Sequence, residues 1–267
     1  MKHLTIHIIG YGRVGQLMHR SLESAGFTDL NVIKRDEALP EYSQLVFICT
    51  PDAQIGAVAE KLAQNVEHGE DMIVIHCSGT LPSSVLQPLA NKGAGIGCFH
   101  PMKAITEEAE SLHHSWFDIE GEPKVLKQLE LLAGYLGAKT LRVSADQKKK
   151  LHAAAVVASN YLVTLTEAAI QIAGPQAGQQ EEMKKALLSL MESTLGNLTA
   201  SSPAKALTGP LKRGDVDTIR EHVKLLQTRP GLLKLYRDLG VFTLDMVKEV
   251  HSEELTDQLK QVLGESR

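Results

Sequence analysis

Much is missing from this sequence, and each absence narrows the reading. Only three cysteines occur, Cys49, Cys77 and Cys98, an odd number without metal-like spacing. They read as reduced thiols, which leads us to expect a cytoplasmic location. His3, His7, His68, His113, His114, His222 and His251 show no ligand spacing, so no metal site is expected. The net charge of -4 and pI near 6.3 give no general attraction to nucleic acid or anionic lipid. No repeat or low-complexity segment stands out. Met1-Lys2-His3-Leu4 runs straight into an apolar strand, so no leader peptide is expected. Residues 153–173 are apolar over the length of a membrane span. Ser159, Asn160, Thr164, Thr166, Glu167 and Gln171 interrupt them, and a buried helix is expected there instead. What remains is an ordinary globular chain of 267 residues, 43% hydrophobic and 22% charged.

The most informative segment present is Ile6-His7-Ile8-Ile9-Gly10-Tyr11-Gly12-Arg13-Val14-Gly15, a strand that enters a Gly-x-Gly-x-x-Gly turn. In that pattern Gly10 permits the tight turn, Gly12 lets backbone approach a pyrophosphate, and Gly15 lets the following helix pack on the strand. The helix aims free N–H groups and its positive dipole end at the phosphates. Dinucleotide binding is therefore expected, with Gly10, Tyr11, Gly12, Arg13, Val14 and Gly15 at the turn and Thr50 and Pro51 after the third strand. NAD-type sites place an acidic residue after strand 2 for the ribose hydroxyls. Here Lys34-Arg35 stand in that place, with Asp36 behind them. The two cations suit a 2′-phosphate and favour NADP over NAD, while Asp36 as a ribose ligand is the alternative.

The first 144 residues alternate strands (4–9, 30–34, 45–50, 72–76, 94–99, 116–120, 140–143) with helices (13–25, 53–64, 82–92, 123–136). This predicts an α/β Rossmann-type, mostly parallel sheet whose ligands bind beyond the carboxyl ends of the strands. After Ser144 the strand signal stops. Helices are predicted over 145–173, 180–200, 215–228 and 231–263, with breaks at Gly174-Pro175, Ser201-Ser202-Pro203, Gly209-Pro210 and Pro230-Gly231. The expected organisation is residues 1–144 for the nucleotide and an all-α domain, 145–267, for substrate and dimerisation. A homodimer through the helical domain is expected, because so small a bundle buries an apolar helix poorly.

Polar residues at strand ends supply the candidate chemistry. His76 and Ser78 follow strand 4, and His100 follows strand 5. His100 could exchange a proton with a reacting hydroxyl, carbonyl or imine, with Ser78 orienting it or the substrate. On the long helix, His152, Ser159 and Asn160 share one side, and Lys148 lies a turn earlier. His152 and Asn160 are candidate catalytic residues, while at least one of Lys148-Lys149-Lys150 reads as solvated. Arg213 could bind a substrate carboxylate or pair with Asp215. Cys77 and Cys98 read as packing residues.

Thr50-Pro51-Asp52, His76-Cys77-Ser78-Gly79, Gly97-Cys98-Phe99-His100-Pro101-Met102, His152…Ser159-Asn160-Tyr161-Leu162 and Ala206-Leu207-Thr208-Gly209-Pro210…Arg213-Gly214-Asp215 complete the pattern. Together with the glycine turn they resemble the Rossmann-like proteins that carry a C-terminal domain of unknown function numbered 2520. The resemblance runs from residue 4 to about 250. It implies kinship with the 6-phosphogluconate and 3-hydroxyisobutyrate dehydrogenase superfamily. It also implies a dimer with a cleft between domains, and an NADP oxidoreductase; the polar residues gathered at the strand ends beside the glycine turn lead us to expect a small, anionic substrate in that cleft. A narrower resemblance to prephenate dehydrogenases places a functional His at His100 and a Ser at Ser78, although Lys103-Ala104 depart from that pattern. Imine or ketoacid reduction is a further alternative within this class. From other classes, a non-catalytic NADP-binding sensor or scaffold remains open, as does a partner-binding helical module with a vestigial site.

Overall fold

The computed structural model describes residues 3–174, 176–247 and 249–264, so Pro175 in the expected break and Lys248 within the expected last helices lie outside it. The chain divides into two compact units, residues 1–160 and 161–267.

In the first unit, β1 (Ile6–Ile9), β2 (Leu30–Ile33), β3 (Leu45–Ile48), β4 (Ile73–His76), β5 (Gly95–Met102), β6 (Trp116–Gly121) and β7 (Lys139–Arg142) form one sheet. Its order is β2-β1-β3-β4-β5-β6-β7. Alternating residues supply two cores. Ile6, Ile8, Phe47, Ile75 and Phe99 face α1 (Arg13–Ser24) and the helix Pro123–Tyr135. Ile9, Val46, Ile48 and Val74 face α2 (Asp52–Asn65) on the other side. The chain reverses its direction of growth between β1 and β3, where an open sheet leaves a crevice at its carboxyl edge.

The sheet is mostly parallel, as the alternation of strands and helices predicts, and one strand end is corrected. All ladders are parallel except β5–β6, which is antiparallel. A loop rather than a crossover helix joins β5 to β6, so the chain returns alongside itself. β5 also runs on to Met102, which puts His100 inside a strand, directly opposite Asp118.

The second unit is helical. A small core of Ile219, Leu244, Leu259 and Leu263 joins the helices Val216–Leu226, Pro230–Val247 and Glu253–Leu263. Asp215 caps the first of these through the Thr218 N–H.

The long helix departs from expectation in three ways. A π-turn over Val156–Asn160 interrupts it, which resets the spacing that aligned His152 with Asn160. Its first stretch, Ala145–Ala155, belongs to the sheet unit, one helix beyond the expected boundary at Ser144. The anchoring group is Lys148, the only buried residue of that stretch. Finally, Ala145–Ala173 is long and apolar enough to cross a membrane by length and composition, yet only 6% of its apolar window is buried. The expected burial is not met within the chain: Val157, Tyr161 and Val163 are exposed, and so is Asn160.

Candidate active site

The three glycines of the first turn differ in what holds them. Gly10 has φ of +93°, a region that L side chains rarely adopt. A Cβ on Gly15 would lie 2.1 Å from the Gly10 carbonyl oxygen, so the approach of α1 to β1 forbids one. Gly12 is different, because a Cβ there would meet nothing within 4 Å. Nothing in the described fold requires Gly12 to lack a side chain, whereas a ligand close to the backbone would. Gly12 is also the N-cap of α1 and offers no side-chain cap to the free N–H groups.

These groups open into a cavity of about 840 Å³ at the carboxyl edge of the sheet. Gly10, Tyr11, Gly12, Arg13, Val14, Lys34, Arg35, Thr50 and Pro51 all line it, and Gly15 lies beneath. Every residue expected at the nucleotide is therefore brought to one place. The volume lies in the upper part of the usual range for ligand pockets. Lys61 adds a fourth lining cation that the sequence reading missed, beside Arg13, Lys34 and Arg35. Asp36, at φ +68°, and Glu37 share the wall, and Glu37 accepts the Lys34 backbone N–H at 2.7 Å. Arg13, Lys34, Arg35 and Lys61 make no ion pair with a described residue.

Cys77 and Ser78 continue the cavity wall toward a cluster of titratable groups. The β5–β6 register sets His100 against Asp118, and the imidazole Nδ1 lies 2.5 Å from Asp118 Oδ2. Lys148 Nζ donates to Asp118 Oδ1 at 2.6 Å and to Cys98 Sγ at 2.8 Å. The Lys148 and Asp118 side chains are 0% and 3% exposed, against 20% for His100. Burial alone would raise the Asp118 carboxyl, but hydrogen bonds and charge from His100 and Lys148 outweigh it and hold the group below its ordinary value. Burial likewise opposes the Lys148 ammonium, yet Cys98 and Asp118 against it leave its pKa raised. With Nδ1 occupied, His100 presents Nε2. A Cβ on Gly79 would lie 2.9 Å from that nitrogen and 2.6 Å from His152 Nδ1, so the bare Gly79 backbone closes on both rings. The ring centroids of His100 and His152 are 6.2 Å apart. His152 Nδ1 and Thr50 Oγ1, both at this edge, are buried without a partner among the described residues, a circumstance common at functional sites.

The other expected residues have positions and partners of their own. Ser78 Oγ donates to Asp52 Oδ2 at 2.7 Å and accepts the Thr80 and Leu81 N–H groups at 3.1 Å. Its hydroxyl shapes the 78–81 turn and ties it to Asp52, which also accepts from Thr80 Oγ1 at 2.8 Å. His76 is fully buried, with Nε2 donating to the Pro82 carbonyl and Nδ1 accepting the Ser78 N–H, both at 3.2 Å. Asn160 does not line the cavity. Arg213 lies in the second unit, 65% exposed, its guanidinium 4.0 Å from Asp215. Sequence reasoning missed Asp118 as a site residue and did not assign Lys148. The available signal was a lone acid inside the apolar run Phe117-Asp118-Ile119.

His76 carries a pH prediction. Burial, with the Lys148 ammonium adding to it, pushes its pKa from 6.5 to about 4. Between those values the unfolded chain holds a proton at His76 that the folded chain does not, so stability falls as pH falls. The full cost is roughly 3 kcal/mol. Asp118, with its depressed folded pKa, loses its contribution in a lower window, as pH falls through the folded value. Urea midpoints of the first unit should therefore drop between pH 7 and 4.5, and His76→Gln should flatten that slope. An unchanged slope in the variant would show that His76 does not carry it.

Fold and site together define a Rossmann-like domain followed by a helical one. The chain matches the Rossmann-like domain family over residues 28–101 and the Domain of unknown function (DUF2520) over residues 115–243. The two matched domains stand in the order that the sequence resemblance implies, Rossmann-like first and DUF2520 second. No curated protein is a significant match. Among solved structures, the chain is similar to "putative NADP oxidoreductase BF3122" from Bacteroides fragilis, with TM-score 0.74 and 19% identity, covering 91% of this chain and 99% of that one. It is also similar to protein TM1727 from Thermotoga maritima, with TM-score 0.71 and 23% identity over 92% and 99%. An imine reductase from Myxococcus stipitatus in complex with NADP+ follows, with TM-score 0.63 and 13% identity over 96% and 99%. At such identities the likeness is one of fold.

Proposed function

We propose that the protein is an NADP-dependent oxidoreductase acting on a small anionic substrate at the carboxyl edge of its sheet, with His100 as proton donor and acceptor. One observation carries the reading: an imidazole fixed by a buried carboxylate presents its free Nε2 beside a cavity lined by a glycine turn and four cations. The likeness to an imine reductase in complex with NADP+ supports the cofactor class.

The residues fit such a group. Gly12 leaves room for a pyrophosphate, the first turn of α1 offers N–H donors, and Lys34 and Arg35 would hold a 2′-phosphate. NADP(H), when bound, supplies or accepts the hydride. His100 then gives a proton through Nε2 to a carbonyl or imine being reduced, or takes one from a hydroxyl or amine being oxidised. Asp118 holds the Nδ1–H tautomer and stabilises the imidazolium. Lys148 keeps Asp118 ionised without occupying the reacting side.

The direct test is a panel of hydroxy acids, keto acids and cyclic imines, followed by NADPH absorbance. Turnover of at least one class is expected. Cofactor binding without turnover of any would favour a sensor or scaffold. The apolar exposure of Val163, Leu190, Leu195 and Leu198 supports a homodimer through the helical domain. A light-scattering mass of one chain would refute that part.

A further inference from the structure

We propose that Cys49 and Cys77 form a peroxide-oxidisable dithiol in the wall of the cavity, a modification site that a bound dinucleotide covers. Ile48 and His76 are the last register partners of β3 and β4, so Cys49 and Cys77 are the next pair along adjacent parallel strands. Neighbouring strands lie about 4.8 Å apart, inside the Cα range that a disulfide spans. The two sulfurs are already 3.7 Å apart, and both residues line the cavity. The loops that follow them are tied by the bonds from Ser78 and Thr80 to Asp52, so closure asks for little backbone movement.

The two thiols are unequal. Cys49 is partly exposed, whereas Cys77 is 8% exposed, and its hydrogen bond to Cys49 and its burial push its thiol up. Cys49 therefore reacts first. Its thiolate attacks a hydroperoxide, breaking the O–O bond to give a sulfenic acid and releasing hydroxide or alkoxide. Cys77 then displaces the sulfenic oxygen as water, forming the S–S bond. Two thiols are oxidised and one peroxide is reduced. Cys98 serves as an internal control, being fully buried, with its sulfur bonded to Lys148 and to the Ser78 carbonyl.

Dinucleotide cover rests on the proposed cofactor reading; the dithiol does not. The experiment treats the full chain with hydrogen peroxide, with and without NADP+, then unfolds and alkylates it for peptide mass spectrometry. A cross-linked peptide joining Cys49 and Cys77 is expected, with Cys98 still alkylatable. Cys77→Ser should leave Cys49 as a sulfenic acid trapped by dimedone. At ten times its dissociation constant, measured separately, NADP+ should slow the loss of thiols about tenfold. No cross-link, or loss of Cys98 at the same rate, would overturn the dithiol. Full-rate oxidation with NADP+ demonstrably bound would overturn the cover. Failure of NADP+ to bind would instead sink the cofactor reading, leaving the cross-link to decide the dithiol alone.

Discussion

Replacing Lys148 with alanine is expected to destabilise the first unit by about 3–5 kcal/mol, the cost of stranding one member of a buried ion pair. Asp118 has both oxygens engaged, by His100 and Lys148, and its side chain is 3% exposed. Without the ammonium its charge keeps only the His100 imidazole as a side-chain partner. The loss should shrink in acid, where protonation of Asp118 removes the stranded charge. Trp116, the sole tryptophan, lies in β6 two residues from Asp118, so its fluorescence reports unfolding of this unit. Lys149→Ala, at an exposed neighbour, should stay within about 0.5 kcal/mol of the parent. If the two lysine variants unfold at the same urea concentration, Lys148 is not the anchor described.

His100→Ala should lower kcat by about 10² to 10⁴-fold on whichever substrate the panel identifies, the usual contribution of one positioned acid–base group. Affinity for NADPH should be unchanged, because His100 is absent from the cavity lining that holds the glycine turn. Asp118→Asn should also slow turnover while leaving NADPH binding intact, since an amide can favour the wrong imidazole tautomer. Steady-state kinetics alongside a binding titration separate these outcomes. Full turnover by His100→Ala would remove it from the chemistry.

The parts legible in sequence were the local ones. The strand, the glycine turn and the start of α1 are contiguous, and their spacing reports their geometry directly. The cations at Lys34 and Arg35 were legible for the same reason, standing at a fixed distance after strand 2. Asp118 and Lys148 were not, because their meaning depends on distant pairings. His100 meets Asp118 only through the antiparallel β5–β6 register, which a mostly parallel pattern leaves unspecified. Lys148 sits in a run of three lysines that reads as a solvated turn, yet one of the three points inward at helical spacing. Ser78 was placed in the right region, but its hydroxyl serves the turn that Asp52 and Thr80 complete. His100, Gly79 and His152 converge because three separate segments meet, which no spacing in the chain records.

Calorimetric titration of NADPH and NADH into the protein and into Arg35→Ala tests the NADP(H) site on the glycine turn. One NADPH per chain should bind, more tightly than NADH, with the preference largely lost in Arg35→Ala as NADPH weakens and NADH does not. No NADPH binding by the parent protein, or equal losses for both dinucleotides in the variant, would contradict it.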